Sequence, residues 1–193
     1  MPDEVKADAF LVAVAIGLDP GNTPAKNPVT ASALGGGFGG HETPDEVTTR
    51  CAALKRCGLA MRSRSDWVRH WALSAGLTSR LGPDKAKSFG IAKETLDMNG
   101  ASGWSWADIG ADLSGIEFAR RLRSGDISVK TIHKHFKASN AMADPIGLED
   151  KVTPDVFKRR YKAIGSPEMN REIAKIQERV KTHFDKVTGS RGR

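Results

Sequence analysis

Three helix-length segments follow one another between positions 66 and 119: DWVRHWALSAGLTSRLG, PDKAKSFGIAKETLDMNG and ASGWSWADIGADLSGIEFA. Glycine-containing joints separate them: Gly82-Pro83 breaks the first run, and Asn99-Gly100 ends the second. Helices this close in sequence must pack on one another, and each must bury one face. In the first, Trp67, His70, Trp71, Ser74, Leu77 and Leu81 share a side by 3-4 spacing. In the second, the side is Ala86, Gly90, Lys93, Glu94 and Asp97; in the third, Asp108, Ala111, Asp112, Gly115 and Ala119. All three buried faces therefore carry polar groups among small residues.

That combination limits the chemistry. Asp108 and Asp112 are four apart, one above the other on a helix, where like charges repel. Burying unpaired carboxylates is costly, so partners are required. His70, Lys93, the Trp67 and Trp104 indole N–H groups and the free amides near Ser105 are available. One outcome is structural: the groups cap helix ends, pair with each other and hold three helices in register. A second is a divalent metal site with His70, Glu94, Asp97, Asp108 and Asp112 as ligands, since oxygen ligands with one imidazole suit a hard or borderline ion. Such an ion could activate water for hydrolysis. A third is a metal-free acid–base pair drawn from His70, Glu94 and Asp108.

The rest of the chain reads as further helices. The apolar residues Phe10, Leu11, Val14 and Leu18 recur at helical spacing over 2–18, and Asp19-Pro20-Gly21-Asn22 ends that pattern. Thr43-Pro44-Asp45-Glu46 opens a helix to about Cys57 with a capping box. Ser65 and Ser105 are expected caps, Thr153-Pro154-Asp155 starts a short helix, and Gly165-Ser166-Pro167-Glu168 starts the last. In that last helix Ile173, Ile176, Val180 and Phe184 form one stripe. The 35–40 run GGGFGG has neither a Gly-Lys-Ser/Thr ending nor a preceding strand, so it reads as a connector and not a phosphate loop. His41 lies beside it and reads as exposed. His133 and His135 would share a face only on a strand, where they could hold a metal; on a helix they would be two solvated histidines.

Cys51 and Cys57, six apart on one helix, are about 9 Å apart. A disulfide needs less than about 7 Å, so both read as free thiols. The apolar run 9–18 is half the ~20 residues a membrane-spanning helix requires. It follows acidic residues, so it does not resemble a signal peptide. A soluble chain is expected, and cytoplasm and cell envelope both fit. The formal charge is +7, and the excess lies between Lys151 and Arg193. Lys158, Arg159, Arg160 and Lys162 there suggest an acidic protein partner, an anionic surface or nucleic acid. With one tyrosine in the chain and no aromatic–basic interleaving, single-strand binding is disfavoured.

The pattern Asp66…His70-Trp71…Ser74-Ala75, Gly90-x-x-Lys93-Glu94-x-x-Asp97 and Ser102-Gly103-Trp104-Ser105-x-x-Asp108…Asp112…Gly115 resembles one in uncharacterised bacterial proteins. The YfiM-type predicted lipoproteins share its K-E-x-x-D core and, except for Ile109 where their motif has leucine, its S-G-x-S-x-x-D-L-x-x-D core. It is more distantly similar to VanZ-like membrane proteins. The resemblance covers 66–119 only, under a third of the chain. It implies a compact helical domain of unknown activity, with the cell envelope as a setting. Two expectations depart from that pattern: no leader or lipoprotein cysteine is read in these residues, and helices this charged are not expected to span a bilayer.

The expectation is an all-α domain: a helical body over 1–150, with its core at 44–124, and a basic helical segment over 151–193 packed on it. The leading functional expectation is a non-enzymatic structural or interaction protein with a buried His/carboxylate cluster. A metal-assisted hydrolase is the alternative, and anion or nucleic-acid binding through the basic segment the third.

Overall fold

Among the residues that a computed structural model describes, 3–18, 58–100, 102–129 and 140–189 with isolated positions between them, the helical periodicities become six continuous helices. They are α1 (Asp3–Gly17), α2 (Ser65–Leu81), α3 (Pro83–Met98), α4 (Trp106–Ser124), α5 (Pro154–Tyr161) and α6 (Pro167–Thr188). Among the described residues there is no strand, only the isolated antiparallel bridges Met61–Arg64 and Trp104–Val152. The all-α expectation holds. Asp45, Glu46, Thr48, Thr49, Ala52 and Ala53 are helical, in line with the helix expected before Gly58. Cys51, Cys57, the 35–40 glycine run, His41, His133 and His135 lie outside the described residues.

The central helix is α4. Fifteen of its 19 residues are buried, far more than the single stripe of a surface helix. It is covered by α2, α3, α6 and α1. Small residues make this possible. A Cβ added at Gly115 would lie 2.1 Å from the Trp71 carbonyl oxygen, so α2 and α4 touch backbone to backbone. Any side chain at 115 would push them apart. The helix starts at Ser105, whose Oγ accepts from the Asp108 amide at 2.9 Å, and ends at Gly125 in the left-handed region. Both ends follow ordinary capping chemistry.

The other expected caps are mixed. Thr153 and Ser166 cap α5 and α6 through their hydroxyls. Ser65 does not cap α2; it is the first helical residue, and Arg64 occupies the cap position with no side-chain cap. A tight turn precedes the helix. Met61 and Arg64 exchange two backbone hydrogen bonds of 2.9 Å, with Arg62 and Ser63 at positive φ between them. The Arg64 guanidinium then closes on Asp66 in the first turn of α2.

The buried face of α1 is also rotated from the expected stripe. Ala7, Leu11, Val12 and Ala15 are buried, while Phe10, Val14 and Leu18 only edge the core. Ala7 and Ala15, about two turns apart, lie on the face that α1 turns to α2 and α4. An Asp8–Arg123 ion pair of 2.9 Å ties α1 to α4.

The C-terminal helices dock as one apolar surface. Phe157 of α5 lies among Trp104, Trp106 and Tyr161, with ring centroids 4.8, 6.4 and 5.3 Å away. Met169, Ile173, Ile176, Val180 and Phe184 of α6 are all buried, as the 3-4 spacing requires. Arg121 of α4 is buried beside them, paired with Asp185 at 2.5 Å and Glu117 at 2.6 Å. No described helix is long and apolar enough to cross a membrane.

Candidate functional site

The polar faces of α2, α3 and α4 meet at one point because small residues let the helices approach there. Gly90 is the clearest case: a Cβ would sit 2.6 Å from Asp112 Oδ2, so only glycine leaves room for that carboxylate at the α3–α4 seam. One turn further along α3 lies Glu94, and one turn back along α4 lies Asp108.

His70 of α2 is the hub. Its Nδ1 is 3.2 Å from Asp112 Oδ1. Its Nε2 is 3.3 Å from Asp108 Oδ2 and 3.9 Å from Glu94 Oε1. The ring is thus bracketed by carboxylates from both other helices. Each acid has further donors. Ser74 Oγ donates to Asp112 Oδ1 at 2.8 Å, and Trp67 Nε1 donates to Asp108 Oδ1 at 3.0 Å. Glu94 Oε2 accepts from the Ser105 amide at 3.1 Å, and Lys93 Nζ reaches Glu94 Oε1 at 3.2 Å. Asp112 Oδ2 is the exception: it is buried and has no hydrogen-bond partner.

Burial and charge shift these groups strongly. Burial works against a charged imidazole, but Asp112 and Asp108 outweigh it and raise His70 to about 10. Burial pushes Glu94 up to about 7, with Lys93 only partly opposing it. Burial would also raise Asp108, yet its hydrogen bond and charge pairing with His70 hold it below the usual carboxylate value. The two aspartates thus favour the charged form of His70, and burial favours the neutral form of Glu94.

Of the five sequence-derived candidates, His70, Glu94 and Asp108 place one ligand atom each within 4.8 Å of the others. Asp112 stands behind the imidazole. Asp97 is drawn away: it pairs with Lys93 at 2.6 Å, and its side chain is 37% exposed. Among the expected partners, the Trp67 indole, Lys93 and the Ser105 amide reach the acids. Trp104 does not; its ring is fully buried against Trp106 and Phe157.

Sequence reasoning missed the rim. Arg64 donates to both carboxylate oxygens of Asp66, pairs with Asp150 at 2.8 Å and lies 3.7 Å from Asp108. Asp150 in turn accepts from Ser105 Oγ. Arg64 holds Asp66 below the usual carboxylate range. Neither Arg64 nor Asp150 lies on a periodic face of the sequence. Their encounter spans 86 positions, and no local signal reports it.

No family model, curated protein or solved structure matches this chain.

Proposed function

We propose that the chain is a non-enzymatic structural or interaction protein in which the His70–carboxylate cluster acts as a buried charge lock. The observation that carries this is closure. The side chains of His70, Glu94 and Asp112 are 5, 1 and 6% exposed, and each polar face is turned to another helix of the same chain. A substrate would need an open face on this constellation. A lock needs the opposite: charges from three helices that satisfy one another only when the helices are in register. The resemblance of 66–119 to the YfiM-type predicted lipoproteins belongs to this reading, since its shared core includes Glu94, Asp108 and Asp112, three of the groups that build the lock.

The partner surface on this reading is the basic C-terminal segment. Lys158, Arg159 and Lys162 are exposed, whereas Arg160 is engaged by Glu149 at 2.6 Å. The partner is an acidic protein or an anionic surface. Its binding should weaken with added salt, as exposed charge pairs do.

The test of the lock is Asp108→Ala, measured by urea unfolding in chelator. Removing one side of a buried pair leaves the other charge uncompensated, so a loss of about 3–5 kcal/mol is expected. A variant as stable as the parent overturns the lock.

A further inference from the structure

We propose that His70, Glu94 and Asp108 form a binding site for one borderline divalent cation of the zinc or manganese class, with Asp112 orienting the imidazole from behind. The lock supplies the residues; the ligand goes beyond it.

Geometry is the first argument. A cation bonded to tetrahedral ligands at about 2.1 Å holds them roughly 3.4 Å apart. Here Nε2 of His70 lies 3.3 Å from Asp108 Oδ2 and 3.9 Å from Glu94 Oε1, and all three ligand atoms fall within 4.8 Å. Small rotations of two carboxylates complete the set. Each ligand comes from a different helix, so the ion would join α2, α3 and α4.

Charge is the second argument, and it is independent of the first. Glu94, Asp108 and Asp112 are three buried acids facing one imidazole. Lys93 is shared with Asp97. Asp112 Oδ2 is closed off from solvent without a hydrogen-bond partner, at the seam beneath Gly90 and one turn from Glu94. Such a group is costly to bury unpaired. A divalent cation on Nε2 would add positive charge one helical turn away, across the imidazole from Asp112.

Ligand type decides the ion. One nitrogen with carboxylate oxygens suits zinc or manganese; magnesium and calcium prefer all-oxygen shells. His70 would coordinate through Nε2 as a neutral imidazole and keep its Nδ1 proton on Asp112. That carboxylate–histidine arrangement is the usual outer support of a metal-bound imidazole.

The experiment is dialysis of the chelator-stripped full chain against Zn²⁺, Mn²⁺, Mg²⁺ or Ca²⁺, followed by elemental analysis and a melting curve. One Zn²⁺ or Mn²⁺ per chain with a raised melting temperature is expected, and weaker uptake of Mg²⁺ and Ca²⁺. His70→Gln and Glu94→Gln should lose the ion at concentrations that saturate the parent. Asp112→Asn should keep the site and weaken it roughly 10- to 100-fold, and Asp97→Asn should bind like the parent. Glu94→Gln preserves side-chain shape, so it decides the matter if His70→Gln fails to fold by circular dichroism. Folded parent protein without a stoichiometric ion overturns the proposal. So does uptake that survives in a folded His70→Gln or Glu94→Gln. The lock is judged separately, on Asp108→Ala in chelator, and can stand without the ion.

Discussion

At the residue scale, His70 and Gly115 are the positions where one change has the sharpest consequence. His70 is raised to about 10 in the fold and has an ordinary value near 6.5 when unfolded. A group raised by folding stabilises fully below its unfolded value and loses that contribution as pH climbs through the folded one. In chelator, stability should therefore decline between about pH 6.5 and 10, and His70→Gln should flatten that decline. Urea midpoints across that range measure it. Gly115→Ala belongs to the same scale for a steric reason. Its Cβ would overlap the Trp71 carbonyl, so α2 and α4 must separate. Overpacking of this kind costs about 1–3 kcal/mol or more, read as a lower melting temperature.

At the element scale, the docking of α6 on α4 rests on an apolar stripe and one buried cation. Arg121 side-chain exposure is 4%, and its partners Glu117 and Asp185 lie on α4 and α6. Asp185→Ala should leave the guanidinium short of a partner and loosen α6. Faster amide exchange in α6 than in α2 would show this, with α2 unchanged. Glu117 adds a pH dependence of opposite sign to that of His70. Burial opposes its ionisation, but hydrogen bonds from Arg120 and Arg121 hold it below its usual value. Its contribution is present above about pH 4.5 and is lost as pH falls through the lowered value. Glu117→Gln should remove part of the acid-side loss of stability.

At the scale of the whole molecule, the basic C-terminal segment and the helical body share an aromatic contact. Trp104 and Trp106 pack on Phe157 and Tyr161, and Trp104 exchanges backbone bonds with Val152. Tryptophan fluorescence and helical circular dichroism should therefore report one coincident unfolding transition. Two separated transitions would mean that the segment folds and docks on its own.

The sequence alone determined most of the local structure. Faces of small and polar residues between glycine joints placed α3 and α4, apolar spacing placed α6, and Ser105, Thr153 and Ser166 marked three helix starts, because periodicity and capping act within a few residues. It also named the acids and the histidine of the cluster, since a face of alanine and glycine packs closely and carries its polar residues toward the seam. The tertiary structure decided the pairing. It separated Asp97 from the converging group, put Asp112 behind the ring, and brought Arg64 and Asp150 to the rim. It also put Arg64 and not Ser65 at the cap position of α2, and turned α1 onto its alanines. Those outcomes depend on how closely helices approach and which charges then meet. Distance in space settles that, and spacing along the chain does not encode it.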